Sequence, residues 1–396
     1  MKRNIKYLVL TFLLLSTLLT LYYPPTYIYR VFVWQESDYA DGEKFKFSSI
    51  KHSSNEFHFN EMDGYLAEQE LSRLSKISNQ IDFNKFLQER GTYSFLVIRN
   101  DTILIEKYFQ NCNRETLQNS FSVSKSILGL AVAKAIELGF ITDIKEPITK
   151  YAPELFDRDP DFAKITIGDL LKMKSGIQYS PETSFPWLNR DDVIAYYHPN
   201  LKKVALEKTQ ISGEPNKEFQ YNNYNPLLIG LAMERATKMK LTKFIERYIW
   251  SKIGTEFDAR WSTDENEFEK MESGFMASPI DMAKIGRLVL ENGKFRESQI
   301  VSAELMKELT KPISEMKVFE ERVWAYGHSW WSISDGTKNP SIMANGHMGQ
   351  FIFTNPKTNI IIIRNGLKVG QFYDDDWTEI FQSYSNQKMH SPVQEN

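Results

Sequence analysis

From Phe121 to Gly139 the chain reads Phe-Ser-Val-Ser-Lys-Ser-Ile-Leu-Gly-Leu-Ala-Val-Ala-Lys-Ala-Ile-Glu-Leu-Gly, an apolar run with Ser122 and Lys125 at its head. Ile127, Leu128, Leu130, Ala131, Val132, Ile136 and Leu138 predict a buried helix, which the rest of the chain has to wrap. Side chains three apart share a helix face, so the Lys125 amine can reach the Ser122 hydroxyl. A hydroxyl and an amine so placed are the makings of an acyl-transfer enzyme.

At 396 residues the chain is long enough for a large core divided into two lobes. A net charge of -3 leaves no basic field, which excludes nucleic acid as a partner. Cys112 is the single cysteine, so there is no intramolecular disulfide and no Cys/His zinc cluster.

The N-terminus carries Lys2, Arg3 and Lys6, then an uncharged stretch from Tyr7 to Tyr23 closed by Pro24-Pro25. Its length is near the lower limit for a spanning helix, roughly 17 residues. No alanine precedes Ala40 to offer a cleavage site, and Tyr22, Tyr23, Tyr27, Tyr29 and Trp34 resemble an interfacial aromatic belt. The reading is an uncleaved single-pass anchor over 1–25, with secretion after cleavage as the alternative. The positive-inside rule then carries everything after Pro25 across the membrane. Residues 26–80 read as a stalk or a wrap without assigned function.

Ile77 to Arg90 reads as a short helix. Thr92–Ile98 and Thr102–Phe109 flank Arg99-Asn100-Asp101 as a hairpin. Thr166 caps a helix stopped by Gly176, and Asn225 to Lys238 and Ser278 to Gly293 read as two more. Between the first two lies a long irregular stretch with Trp187, Arg190, Tyr196 and Tyr197, suited to walling a substrate cleft. Ala325–Ile333, Gly349–Thr354 and Asn359–Arg364 read as strands, and Asp376–Tyr384 as a closing helix before a frayed tail over 386–396. Strands at both ends of the chain with helices between them imply one antiparallel sheet completed by both ends, and a helical lobe inserted at about 165–270.

Ser-x-x-Lys alone is a common tetrapeptide, found here at Ser48/Lys51, Ser122/Lys125, Ser314/Lys317 and Ser385/Lys388. Only the second opens a buried helix. A serine hydroxyl needs a base, and a lysine amine serves only when desolvated. Tyr221-Asn-Asn223 supplies a second candidate: the Tyr221 phenol as base or proton relay, and the Asn223 amide to fix Lys125 and the substrate. Tyr384-Ser-Asn386 has the same form but falls in a polar tail. Asn345-Gly-His-Met-Gly-Gln-Phe-Ile-Phe353 comes third, with His347 and Gly349 at the mouth of an expected edge strand where glycine would admit a substrate backbone. The amides of Gln350 and Ser122 could form an oxyanion hole.

In the order Ser-x-x-Lys, Tyr-x-Asn, His-x-Gly, these pieces resemble the serine β-lactamase and penicillin-binding superfamily, in its class C-like branch of D-aminopeptidases, esterases and amide hydrolases. The resemblance runs from about Gly91 to Gly366 and includes Ile165-Thr-Ile-Gly-Asp-Leu-Leu, Phe219-Gln-Tyr-Asn-Asn, Ala259-Arg-Trp and Gly274-Phe-Met-Ala-Ser-Pro-Ile-Asp-Met-Ala. Gly349-Gln-Phe-Ile-Phe-Thr-Asn-Pro and Ile362-Ile-Arg-Asn-Gly366 are most similar to the 6-aminohexanoate-dimer hydrolase group. The resemblance implies an α/β fold of the α+β type over 81–385, with a central antiparallel sheet flanked by helices and an inserted mainly helical lobe. It also implies an acyl-enzyme at Ser122, Lys125 and Tyr221 as coupled general base and acid, no metal or organic cofactor, and a small-molecule or peptide substrate, cell-wall-derived ones included. His347 stands where most β-lactamases have a lysine, which removes the cation that would hold a β-lactam carboxylate. Asn222 replaces the serine common in the second motif. The alternative is a catalytically silent penicillin-recognising or cell-wall-binding protein on the same fold.

Overall fold

The structure, a computed structural model, describes residues 19–181, 187–319, 322–334, 340–368 and 373–387, together with Tyr7 and Thr17. Most of the expected anchor over 1–25 and the tail beyond Gln387 lie outside the described residues. No helix among the described residues is long and apolar enough to cross a membrane.

The chain enters through short helical turns over Pro25–Trp34. Strands β1 (Lys46–Ile50) and β2 (Asn60–Glu61) follow, then helices α1 (Gly64–Ile77) and α2 (Phe83–Glu89). The helix expected over 77–90 is confined to α2, because Asp82 accepts from the Lys85 amide and starts it there, while α1 occupies part of the segment 26–80 read as a stalk or wrap. The hairpin β3 (Thr92–Arg99) and β4 (Thr102–Tyr108) leads through β5 (Gln118–Asn119) to the buried helix α3 (Val123–Glu137). Helix α4 (Ile167–Leu171) starts on a reciprocal Thr166/Asp169 capping box and ends before Gly176. Helices α5 (Asp191–Tyr197) and α6 (Tyr224–Thr237) come next, then β6 (Ala259–Thr263), β7 (Phe275–Ala277) and α7 (Pro279–Leu290), capped by Ser278. A small hairpin, β8 (Lys294–Phe295) and β9 (Ser298–Gln299), precedes β10 (Ser314–Phe319), β11 (Arg322–Tyr326), β12 (Trp331–Ser334), β13 (Ser341–Gly346), β14 (Gln350–Asn355) and β15 (Ile360–Gly366). Helix α8 (Asp374–Ser385) closes the described chain. The strand expected over 325–333 is broken at Gly327, whose amide donates to the Trp330 carbonyl in the turn between β11 and β12.

Nine strands form one sheet in the order β10-β11-β12-β13-β14-β15-β3-β4-β2, antiparallel except where β2 runs parallel to β4. Both ends of the chain thus build it, with β15 pairing β3 through Ile362 opposite Val97. The apolar runs of the central strands split by alternation. Phe95, Val97, Phe351, Phe353, Ile360 and Ile362 face one core with α1, α2 and α8, whereas Leu96, Ile98, Ile352, Ile361 and Ile363 face the other with α3 and α7. Continuous apolar strands are what a sheet covered on both faces requires. A second sheet, β1-β6-β7-β5, seats the start of α3.

Candidate active site

The chain enters α3 through an elbow. Ser120 and Ser124 clamp it to β7: Ser120 Oγ donates to the Phe275 carbonyl at 2.6 Å, and Ser124 Oγ accepts from the Phe275 amide at 2.9 Å. Between them Phe121 is held at φ +46°, in the left-handed region that a bulky residue occupies only when its surroundings force it. The bend presents Ser122 at the head of α3 with no capping bond from its side chain. Its amide has no acceptor among the described residues, while the amides of Val123, Ser124 and Lys125 donate back to the carbonyls of Ser120, Phe121 and Ser122 in the elbow.

Lys125 lies beneath. Its Nζ is 2.9 Å from Ser122 Oγ and donates to the Glu272 carbonyl at 2.8 Å. It also lies 4.9 Å from the ring centroid of Tyr221. Trp331 stacks on Tyr221 at 6.1 Å, and Tyr326 meets it edge-on at 5.9 Å. The Asn223 amide nitrogen does not go to Lys125 as expected but donates to the Tyr179 hydroxyl at 3.0 Å. The Asn223 carbonyl oxygen has no partner among the described residues.

The third motif is the hairpin tip between β13 and β14. His347 is exposed by surface area at the mouth of a walled cleft, packed edge-on against Phe121 at 5.5 Å. Displaced water in that cleft pushes its imidazole below the ordinary histidine range, with Asp374 opposing. Two expectations are corrected here. The strand that opens at Gln350 is interior, between β13 and β15, so it has no free edge for a substrate. Gly349 (φ +78°) makes room for the Arg364 guanidinium rather than for a substrate: a Cβ there would stand 2.5 Å from Nη1.

Arg364, fully buried on β15, clamps the hairpin from below. Its Nη1 donates to the Met348 and Gly349 carbonyls at 3.0 and 2.7 Å, and its Nη2 to the Arg90 and Leu367 carbonyls at 2.9 and 3.0 Å. Because the peptide unit is planar and trans, pinning the Gly349 carbonyl makes the Gln350 N–H project from the opposite edge. The Gln350 side chain is buried and braces the same turn, donating to the Gly366 carbonyl at 2.6 Å. Gly346 is close-packed in turn, since a Cβ there would meet the Ser120 carbonyl oxygen at 2.1 Å.

Ser122, Tyr221, Asn223 and His347 line one cavity of about 790 Å³. Lys125, Gly349 and Gln350 are not among its lining residues: Lys125 adjoins it through the Ser122 hydroxyl, and Gly349 and Gln350 follow the lining residues Gly346 and His347 in the hairpin. Arg190, Tyr196 and Tyr197 from the long irregular stretch also line it. The sequence reading missed several groups. Glu272, at the cavity wall, holds Lys125 through its carbonyl while its carboxylate pairs with the buried Lys270 at 3.3 Å. Desolvation pushes the Lys270 amine below the usual lysine range. Asp374, raised above the usual carboxylate range by burial, accepts from Asn345 Nδ2 at 2.9 Å beside His347. Val31, Phe32 and Glu36 complete the rim from a segment given no function. Glu272 directly precedes Ser273-Gly274-Phe275, and Arg364 lies inside Ile362–Gly366, so both stand within or beside stretches already singled out. Asp374 and the rim residues carry no such local signal. The other Ser-x-x-Lys copies lie elsewhere: Lys51 pairs with Asp258 at the surface, and Ser385 sits under the opposite face of the sheet.

The Beta-lactamase family model matches residues 83–384. The chain is similar to the 6-aminohexanoate-dimer hydrolase of Paenarthrobacter ureafaciens, 24% identical over 314 residues, which is 74% of this chain and 77% of that protein. Among solved structures it is similar to a Bacillus anthracis protein provisionally named a 6-aminohexanoate-dimer hydrolase, with a TM-score of 0.74 and 20% identity over 86% of this chain and 90% of the other. A family VIII carboxylesterase shares the fold with a TM-score of 0.60 and 15% identity over 80% and 96% of the two chains.

Proposed function

We propose that this chain, which belongs to the beta-lactamase family, is a serine hydrolase that cleaves a linear amide, a D-amino-acid peptide or a short ester through an acyl-enzyme at Ser122. The observation that carries this reading is the 2.9 Å separation of Lys125 Nζ from Ser122 Oγ at the floor of the cavity. Lys125 takes the hydroxyl proton as Oγ attacks the carbonyl carbon. The oxyanion that forms would meet the Ser122 and Gln350 amides, one without a competing acceptor and the other turned away from Arg364. Tyr221, with its ring against Lys125, relays the proton to the leaving nitrogen or oxygen, and water reverses the sequence to release the acid.

The substrate reading leans on charge. A β-lactam carboxylate would find Asp374 and Glu36 in the cavity wall, and Arg190 is engaged by Asp192 at 2.8 Å. A neutral or amine-bearing acyl group suits such a wall better, and the name of the Paenarthrobacter relative, a 6-aminohexanoate-dimer hydrolase, points the same way. We place the enzyme in the class C-like branch, outside the cytoplasm on its N-terminal anchor. A panel of p-nitrophenyl esters, nitrocefin, D-alanyl peptides and aminohexanoate oligomers, with Ser122→Ala as control, tests the reading. Hydrolysis of at least one ester or linear amide, lost in the variant and exceeding nitrocefin turnover, is expected. Turnover unaffected by Ser122→Ala would refute it.

A further inference from the structure

The apolar N-terminal run does not end in slack chain. Its last residues, Leu19 and Tyr23, pack against the main core, and Tyr23 Oη bonds Asn189. Tyr27, expected in an interfacial belt, is instead buried and donates to the Leu188 carbonyl at 2.8 Å. Trp34, expected there too, packs against Phe45 and Tyr197 at 5.2 and 6.0 Å. Arg30, the only charge between Leu19 and Trp34, is buried, donating to the Tyr197 carbonyl at 3.0 Å and pairing with Glu265.

The large apolar and aromatic side chains that this segment leaves in solvent are Leu21, Tyr22, Tyr29, Phe32 and Val33, which keep between 48% and 78% of their surface exposed, beside the exposed Thr20, Pro25, Thr26, Gln35 and Glu36. Exposed rings of this kind suit a membrane interface. The same segment lines the catalytic cavity through Val31, Phe32, Gln35 and Glu36. Phe32 follows Tyr23 by nine residues, most of them helical, a path of roughly 15 Å. The cleft rim is therefore tied to the end of the apolar run by docked, inextensible chain.

We propose that this segment holds the mouth of the cleft against the bilayer surface, so that the substrate is an amphiphile carried in the membrane, with its scissile ester or amide at headgroup level. The proposal rests on the serine-hydrolase reading and on retention of the N-terminal anchor. Phe32 and Val31 would receive the apolar part of the amphiphile, and hydrolysis by water at Ser122 would leave one product in the bilayer and release the other.

The test uses the full-length chain in phosphatidylethanolamine/phosphatidylglycerol vesicles, with two nitrophenyl ester probes, one water-soluble and one on a diacyl anchor in the same vesicles. A Gly/Ser insertion of about 20 residues between Tyr23 and Pro24, spanning roughly 25 Å, frees the domain from the surface. The expected result is at least a 10-fold loss of the anchored-probe rate with the soluble rate unchanged. Equal retention of both rates overturns the proposal, as does a parallel loss of both, or recovery of the chain in the soluble fraction. Placement is also read without turnover: a fluorophore on Val33→Cys in a Cys112→Ser background should be quenched by spin-labelled lipid, and the insertion should relieve the quenching. Absence of quenching overturns the proposal. Quenching without Ser122-dependent hydrolysis of either probe would instead strike the hydrolase reading.

Discussion

Lys125 Nζ stands 2.9 Å from Ser122 Oγ and is held there by the Glu272 carbonyl at 2.8 Å. The amine has one anchor on β7's leading turn and one on the hydroxyl it would deprotonate. That geometry suits proton transfer in either direction, which acylation and deacylation both require.

Replacing Lys125 with methionine keeps most of the buried stem and removes the proton carrier. The kcat/KM should fall by about 10²–10⁴ while the thermal midpoint moves little. Near-normal turnover on any substrate that depends on Ser122 would contradict the role of Lys125.

Lys270 and Glu272 form a buried pair at 3.3 Å, each with 2% of its side chain exposed. Breaking such a pair from one side strands a charge, so Glu272→Ala should cost about 3–5 kcal/mol in denaturant unfolding. A Lys270→Met/Glu272→Leu double variant should recover much of that loss. A single variant as stable as the parent would show that the pair holds nothing in place.

Desolvation holds His347 below the ordinary histidine range, so it is neutral at pH 7 and gains its charge only below about pH 6.5. In the pH–rate profile its limb should lie on the acid side of that value and disappear in His347→Asn. Stability follows the same sign. The unfolded chain binds the proton more readily, so the contribution of His347 is complete above about pH 6.5 and is lost as pH falls toward the lower folded value. The buried His328, whose Nδ1 lies 2.9 Å from the Glu308 carbonyl, is lowered by desolvation and adds to the loss in the same direction. A limb above pH 7 removed by His347→Asn would contradict this.

Arg364 holds the His347 hairpin through carbonyls alone, a task that a lysine point charge performs poorly. In Arg364→Lys the kcat should drop about 10-fold or more with KM changing less, since the amide at Gln350 serves the oxyanion rather than the ground state. Equal effects on KM and kcat would point to a general loss of structure. Gly346→Ala, whose methyl would strike the Ser120 carbonyl, should cost about 1–3 kcal/mol.

Much of the fold could be read from local pattern. The helix expected after Phe121 runs over Val123–Glu137, and the hairpin around Arg99-Asn100-Asp101 is β3–β4, because periodicity and turn chemistry are properties of short windows. The break at Gly327 is hidden in an aromatic-rich stretch, and the Asp82 cap lies among polar residues that offer Ser78 and Asn79 as equally good starts. Gly349 illustrates a different limit. A glycine announces a close approach but not by what, and only the fold shows that Arg364, 15 residues later in the chain, is the neighbour. Asp374 and Glu36 reach the cavity from opposite ends of the chain, and no spacing in the sequence links either to Ser122.

Labelling with a fluorophosphonate, followed by intact-mass analysis and peptide mapping, tests the central claim most directly. The account predicts one adduct on Ser122 in the parent chain, formed much more slowly in Lys125→Met and absent in Ser122→Ala. Equal labelling of the parent and Ser122→Ala, or an adduct mapped to any other residue, would contradict it.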